Sequence, residues 1–260
     1  MILKAIILGI VEGLTEFLPV SSTGHLILVN NYLDFTGDFA NRFAIIVQIG
    51  AIFAVILYFW PKLVPKFSEK ADVQAKLQLW IKVIIGCLPA ALIGLALENT
   101  LDKYLFNPTS VALALIVGAI LILLVERLHF PVRVEKIEDL SYKDAAKVGI
   151  FQCLALWPGM SRSASTIIGG LTLGLSRTVA AEFSFYLSIP ILLGAGGLKL
   201  IKGGLAFTSQ EWISLLVGVV VSFIVAYLVI AVFMNFIRKH SFSIFAYYRI
   251  ILGILVLILV

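Results

Sequence analysis

Glu12-Gly-Leu-Thr-Glu16-Phe-Leu-Pro19-Val-Ser21-Ser22-Thr23-Gly24-His25 sets two carboxylates, a row of hydroxyls and an imidazole between the apolar runs Ala5 to Val11 and Leu26 to Val29. One ionised side chain at the centre of a bilayer costs about 2.5 to 3.5 kcal/mol on insertion scales, so ionisable groups in such sequence mark a functional site by default. The segments on either side, Leu3 to Leu18 and Thr23 to Leu33, are too short or too polar to cross a membrane. They are expected to form a re-entrant helix pair around Pro19-Val-Ser-Ser22.

The rest of the chain is expected to be the scaffold that tolerates this turn. Of 260 residues, 61% are hydrophobic and 13% charged, and the mean hydropathy is +1.06, whereas globular domains carry about 25% charged residues. The apolar runs Leu77 to Leu97, Thr109 to Val125, Ile213 to Phe233 and Ile244 to Val260 imply an all-α polytopic membrane protein. Lys4 precedes an apolar run, but that run carries Glu12 and Glu16 and leads into Pro-Val-Ser-Ser, so a cleavable leader is not expected. Cys87 and Cys153 lie in apolar helical sequence without metal-ligand spacing and read as packing residues. The net charge of +5 is read as a topology signal from basic loops, not as a nucleic-acid surface.

About ten helical segments are expected. After the first pair come spans over Ala40 to Trp60, Leu77 to Glu98 and Thr109 to Leu128, with a basic loop over Pro61 to Lys76 and a turn over Asn99 to Pro108. Arg127 to Asp144 is charged and helix-poor. A second short pair follows, Tyr142 to Trp157 and Ser165 to Leu175, around Pro158-Gly-Met-Ser161-Arg162-Ser163, and then spans near Thr178 to Lys202, Glu211 to Arg238 and Phe245 to Val260. An offset of 140 residues matches Gly9 with Gly149, Ile10 with Ile150, Ser21 with Ser161 and Phe43 with Phe183, and sets Glu12 against Gln152. Interrupted hydrophobic segments at corresponding places point to an internal repeat with its site at the midplane. The expectation is a single transmembrane domain over 1–260, with repeats over about 1–128 and 142–260 and a charged connector over about 129–141.

If both short pairs return to the face they start from, one face receives Lys62, Lys66, Lys70, Lys76, Lys82, Arg127, Arg133, Lys136, Lys143, Lys147, Arg177, Arg238, Lys239 and Arg249. The other receives Lys4, Arg42, Lys103, Lys199 and Lys202. Fourteen against five makes the first face cytoplasmic. The first hairpin then enters from outside and the second from the cytoplasm, so the repeat is inverted and the two turns can meet inside the membrane.

Glu12 and Glu16 share a helical face and repel. A shared proton, an arginine or a divalent cation would relieve them, and Mg²⁺ or Ca²⁺ favours such oxygen ligands. Ser22 and His25 lie three residues apart at the start of the second helix. The serines suit N-capping as well as nucleophilic attack, and His25 can act as acid, base or nucleophile. In the second turn Arg162 stands among the hydroxyls of Ser161, Ser163, Ser165 and Thr166 at a helix start, a setting that suits a phosphate. Carboxylates from one half and an arginine from the other are the parts of metal-assisted phosphoryl transfer.

These two motifs, Glu12 to His25 and Pro158 to Ser163, together with Phe183-Ser-Phe-Tyr-Leu-Ser-Ile-Pro190 and Tyr248-Arg-Ile-Ile-Leu-Gly253, resemble nearly end to end the bacterial undecaprenyl-pyrophosphate phosphatases of the bacitracin-resistance type. The resemblance implies a multi-pass enzyme of the bacterial cytoplasmic membrane. It would remove the terminal phosphate of undecaprenyl diphosphate to give the monophosphate carrier lipid of cell-wall synthesis, with a divalent cation and an active site open to the outer face. Carried over, Glu12 and Glu16 handle the metal or a proton, Arg162 clamps the diphosphate, and Ser21, Thr23, Ser161, Ser163 and Thr166 surround the phosphates. Ser22 is expected to attack with His25 or Glu16 as base, while direct attack by His25 remains open. The apolar seam between the halves would hold the start of the prenyl chain. A homodimer is an assembly the sequence leaves open.

The rival class is a lipid transporter or flippase, since inverted repeats with broken helices are a transporter architecture. Pure transport does not require Ser22, His25 and Arg162. The other membrane phosphatases with SGH-like and SR-containing motifs need a histidine and an aspartate after the arginine, and after Arg162 there is only His240 and no aspartate. A purely structural role leaves Glu12, Glu16 and Arg162 unexplained at a combined insertion cost of roughly 7 to 10 kcal/mol.

Overall fold

The structure is a computed structural model that describes residues 1–204 and 206–260; the side chains at 98, 99, 102, 195, 199, 200, 202 and 203 are not described, so Lys199 and Lys202 of the charge count fall outside it. Among the described residues the chain is helix and turn, apart from one isolated bridge between Val134 and Leu175. The α-helices are α1 (Ile2–Thr15), α2 (Ser22–Leu33), α3 (Asp38–Tyr58), the single turn α4 (Trp60–Leu63), α5 (Lys70–Leu105) and α6 (Pro108–Leu128). After the connector come α7 (Tyr142–Gln152), α8 (Arg162–Thr172), α9 (Arg177–Gly203), α10 (Ser209–Ile237) and α11 (Ser243–Leu259). Five of these are long and apolar enough to cross a membrane: α3, α5 over Lys70–Leu97, α6, α9 over Arg177–Leu198, and α10. With the shorter apolar α11, they make this a multi-pass membrane protein.

Three boundaries differ from the sequence reading. The basic loop is shorter, because α4 forms at Pro61 and α5 begins at Lys70. The backbone expected to turn over Asn99 to Pro108 stays helical to Leu105: no glycine or proline interrupts it until Pro108, which starts α6 behind the Asn107 cap. The helix expected to reach Trp157 ends at Gln152 and tightens into a 3₁₀ turn over Cys153–Leu156.

The first helix of each short hairpin packs chiefly on a long helix of the other half, while α8 rests on α9 of its own. α1 lies along α10, with Gly9 and Gly13 so close to it that a β-carbon at Gly13 would stand 2.7 Å from the Ser222 carbonyl oxygen. α7 lies along α5, where a β-carbon at Gly149 would come within 2.4 Å of the Gly86 carbonyl oxygen. Small residues are what let helix backbones approach this closely. Gly9 and Gly149 are 140 residues apart, so each hairpin is seated by the corresponding glycine on a long helix of the other half. Cys87 and Cys153 are unpaired and donate weakly to backbone carbonyls, in keeping with packing roles.

Candidate active site

Both polar turns end on a serine in a rare backbone conformation. Ser21 has φ 71° and Ser161 φ 72°, a left-handed region that side-chain-bearing residues seldom enter. Each caps the helix that follows: Ser21 Oγ accepts from Gly24 N at 3.4 Å, and Ser161 Oγ accepts from Ala164 N at 3.2 Å. The first residue of each helix, Ser22 in α2 and Arg162 in α8, is thereby turned toward the same group. Ser22 Oγ donates to Glu16 Oε2 at 2.8 Å, and Arg162 Nη2 donates to Glu16 Oε1 at 3.2 Å. Glu16 thus stands between two helix N-termini, whose unpaired N–H groups favour negative charge.

Arg162 is nearly buried and held from behind, with Nη1 donating to the Ser184 carbonyl oxygen at 2.8 Å and the guanidinium over the Phe17 ring. Its Nε–H is buried without a partner among the described residues. Glu12, one helical turn before Glu16, is 0% exposed, and neither of its carboxylate oxygens has a partner among the described residues. Buried polar groups are nearly always satisfied, and an unpaired carboxylate is among the most expensive exceptions. Among the described residues, an unpartnered N–H of Arg162 and two unpartnered carboxylate oxygens of Glu12 thus flank the Glu16 cluster. Of the three ways to relieve the Glu12–Glu16 pair, Arg162 acts at Glu16, and a shared proton or a divalent cation remains for Glu12.

The remaining hydroxyls divide. Ser163 is buried and donates to the Leu18 carbonyl oxygen at 2.9 Å, joining the second turn to the first, and its Oγ lies 3.0 Å from that of Ser161. Thr166 is buried and turned back into its helix, 2.7 Å from Ser184 Oγ and 3.0 Å from the Arg162 carbonyl oxygen. Ser165 likewise donates to the Ser161 carbonyl oxygen. Thr23 is half-buried beside Ser22. His25 is hydrogen-bonded to neither Ser22 nor a carboxylate: Nδ1 lies 2.7 Å from the Ser21 carbonyl oxygen, and Nε2 lies 2.6 Å from the hydroxyl of Tyr248 in α11.

Arg249 is the residue the sequence reading placed wrongly. Counted there among the cytoplasmic-face charges, it is 0% exposed and sits where the two turns meet. It donates to the carbonyl oxygens of Pro19 at 3.3 Å and Gly159 at 3.2 Å, one from each turn, and to those of Leu115 and Ala114 in α6. Gly118 makes room for it, since a β-carbon there would stand 2.2 Å from Nη2. In sequence Arg249 is a lone arginine following two tyrosines near a helix start, the pattern of an interfacial anchor. The apolar Ile-Ile-Leu-Gly that follows it was the available signal that it lies deeper.

Beside this centre runs a groove of about 660 Å³ between α1, α10 and α11, walled by Val11, Leu14, Val232, Phe236 and Phe245, with His25 and Tyr248 also in its wall. Its lining is almost wholly apolar and it is open to the side. Such a groove suits a hydrocarbon chain next to a polar head-group site.

The sequence matches the family model described as Bacitracin resistance protein BacA over residues 5–255. The undecaprenyl-diphosphatase of Clostridium tetani (strain Massachusetts / E88) is 51% identical over 261 residues, covering 100% of this chain and 96% of that protein. Undecaprenyl-diphosphatase 1 of Clostridioides difficile (strain 630) is 51% identical, covering 98% and 95%. The undecaprenyl-diphosphatase of Fusobacterium nucleatum subsp. nucleatum is 50% identical, covering 98% of both chains.

Proposed function

The chain belongs to the bacitracin resistance protein BacA family, and on that footing we propose that it hydrolyses undecaprenyl diphosphate to undecaprenyl phosphate and phosphate, recycling the carrier lipid of the bacterial cell wall. The observation that carries the chemistry is Glu16, which accepts from Ser22 of the first turn and from Arg162 of the second. Ser22 Oγ attacks the terminal phosphorus and passes its proton to Glu16 Oε2, which already accepts it. The P–Oγ bond forms as the bond to the bridging oxygen breaks, and prenyl phosphate leaves with the electron pair. Arg162 and the N-termini of α2 and α8 balance the charge on the phosphoryl oxygens. Of the two bases open to Ser22, the geometry favours Glu16. His25 serves the second step, in which Nε2 takes a proton from water as that water attacks phosphoserine, the P–Oγ bond breaks, and Glu16 returns its proton to Ser22 Oγ.

A divalent cation fits the residues present, on the evidence of the unpartnered oxygens of Glu12. Glu12 and Glu16 would hold it; no larger cluster of His, Cys, Asp or Glu occurs among the described residues, and Mg²⁺ is commonly bound by one or two carboxylates with substrate phosphates and water. When bound, it would neutralise part of the diphosphate charge. Ser21, Ser161 and Ser163 shape the turns around the phosphates, Thr23 borders them, and Thr166 supports Arg162 through Ser184.

The groove beside His25 takes the prenyl chain. The hairpins belong to inverted repeats over about 1–128 and 142–260, and the site opens to the outer face. With Arg249 removed from the loops, the charge count behind that orientation becomes thirteen against five, and its sign is unchanged. The transporter reading is not carried forward, since the relatives are named as diphosphatases. The test is phosphate release from a polyprenyl diphosphate by the pure full chain in detergent, combined with single-turnover trapping. Ser22→Ala should give no covalent phosphate and His25→Ala should accumulate it; a phosphorylated Ser22→Ala protein, or no release by the unaltered chain, would overturn the reading.

A further inference from the structure

Tyr248 is named in no step above, yet its hydroxyl lies 2.6 Å from His25 Nε2 and its ring stacks on the imidazole at 5.5 Å and 11°. The tautomer follows from the two contacts of the imidazole. Nδ1 faces the Ser21 carbonyl oxygen at 2.7 Å, which can only accept, so Nδ1 carries the proton. Nε2 of the neutral ring therefore holds a lone pair, and the Tyr248 hydroxyl donates to it. Use of His25 as base or as nucleophile alike needs that lone pair. The carbonyl that orients the ring belongs to the strained cap serine of the first turn, and the phenol that completes the orientation comes from α11, next to Arg249, which binds both turns.

We propose that Tyr248 is a positioning residue for the reaction: it fixes His25 in the Nδ1–H tautomer with Nε2 directed at the edge of the groove, so that the nitrogen is ready when water follows the departing prenyl phosphate. It is half-exposed in the groove wall, so the phenol can yield Nε2 to water without unfolding any element. The proposal rests on the phosphatase reading. It makes a distinction that a wall residue would not: a tyrosine that only lines the groove acts on the hydrocarbon, whereas one that orients His25 acts on turnover whatever the chain length.

Tyr248→Phe keeps the stacked ring and removes only the hydroxyl. Outer partners of metal-ligating histidines are typically worth about 10- to 100-fold in activity, and by analogy a loss of about tenfold or more is expected in kcat, with KM nearly unchanged, for a long-chain polyprenyl diphosphate and for farnesyl diphosphate alike. Phosphoserine should accumulate in the variant during turnover. Independently of activity, nitrogen NMR of the full chain in detergent should show the His25 Nε2 resonance moving in Tyr248→Phe; with three histidines in the chain, single substitutions assign the signals. An unchanged kcat, a loss confined to KM that disappears with farnesyl diphosphate, or an unmoved Nε2 resonance would each overturn the proposal. Absence of phosphate release from the unaltered chain would instead overturn the phosphatase reading, and the NMR result would still stand or fall on its own.

Discussion

Ser21 and Ser161 hold φ at 71° and 72°, each accepts the amide of the residue three places on, and in both turns the next residue is the one that reaches Glu16. In the first turn that residue is Ser22, a hydroxyl; in the second it is Arg162, a guanidinium. A related contrast recurs one element earlier, where, among the described residues, buried Glu12 has two unpartnered oxygens and its counterpart Gln152, also buried, has one, its amide nitrogen donating to the Gly86 carbonyl oxygen. One backbone frame is used twice, with the proton-handling groups on one copy and the cation on the other. Two identical turns would bring together two serines or two arginines, and neither pair could both attack a phosphoryl group and balance its charge.

That division is broken most directly at Arg162. Lysine keeps the charge, but its single ammonium nitrogen cannot span the Ser184 carbonyl and Glu16 as the planar guanidinium fork does, so Arg162→Lys should lower kcat/KM by about 10²- to 10³-fold, as expected for loss of a preorganised charge-stabilising group. Phosphate release at saturating cation measures it, and a loss within about threefold would mean that Arg162 only braces the turn. At Glu12 the contrast with Gln152 can be erased. Glu12→Gln should raise the Mg²⁺ concentration needed for half-maximal activity by about tenfold or more. In chelator the same variant should be more heat-stable than the parent, because an amide is buried at lower cost than an unpaired carboxylate. Unchanged cation dependence would take the cation away from Glu12.

What both turns share is Arg249, and a smaller loss is expected there. Arg249→Met removes donors from the Pro19 and Gly159 carbonyl oxygens at once, and should cost about 2 to 4 kcal/mol of stability, since hydrogen bonds from charged donors in buried sites are worth more than neutral ones. Gly118→Ala should act in the same direction by pressing on the guanidinium. Thermal unfolding in detergent reads both. A stable Arg249→Met protein would mean that Ser163 and its bond to the Leu18 carbonyl hold the turns together without the arginine.

How much of this was legible in the chain depends on range. The two short helix pairs and the polar turns between them could be anticipated because each rests on local pattern, proline and serine in apolar sequence; that the arginine of the second turn meets Glu16, and not Glu12, could not. The α5 boundary was missed because polar residues over 99–104 suggested a turn, while nothing there prevents helix from continuing. The roles of Tyr248 and Arg249, which open the last block of the resemblance, were missed for another reason. Tyr248 meets His25 of α2, more than 200 residues away, and Arg249 meets carbonyl oxygens of Pro19, Gly159, Leu115 and Ala114, and a carbonyl oxygen leaves no mark in a sequence. The packing of α1 on α10 and of α7 on α5 was equally hidden: glycines announce close packing but not which helix they pack on.

The smallest effect concerns how the second turn is anchored from its far side. α1 is tied to the end of α2 by Lys4, which donates to the Asp34 carbonyl oxygen. α7 is tied by Asp144 at its start, which accepts from Arg133 of the connector and from Ser141. The Arg133 guanidinium holds the Asp144 carboxyl below its usual range, with Ser141 adding to the shift and partial burial opposing it. A carboxyl whose folded value is depressed stabilises the fold fully above its unfolded value of about 3.9, and that contribution is lost as pH falls toward the folded value. Asp144→Asn should therefore lower the unfolding temperature at neutral pH, and the gap to the parent should close in acid. Arg133 is half-exposed, so solvent screening keeps the difference at neutral pH to about 1 kcal/mol or less. Turnover at neutral pH should be unchanged, because Ser163, Arg162 and Arg249 fix the second turn from within. If Asp144→Asn instead lost activity as Arg162→Lys should, the frame common to the two turns would depend on this outer anchor, and their likeness would come from how each hairpin is tied at its ends.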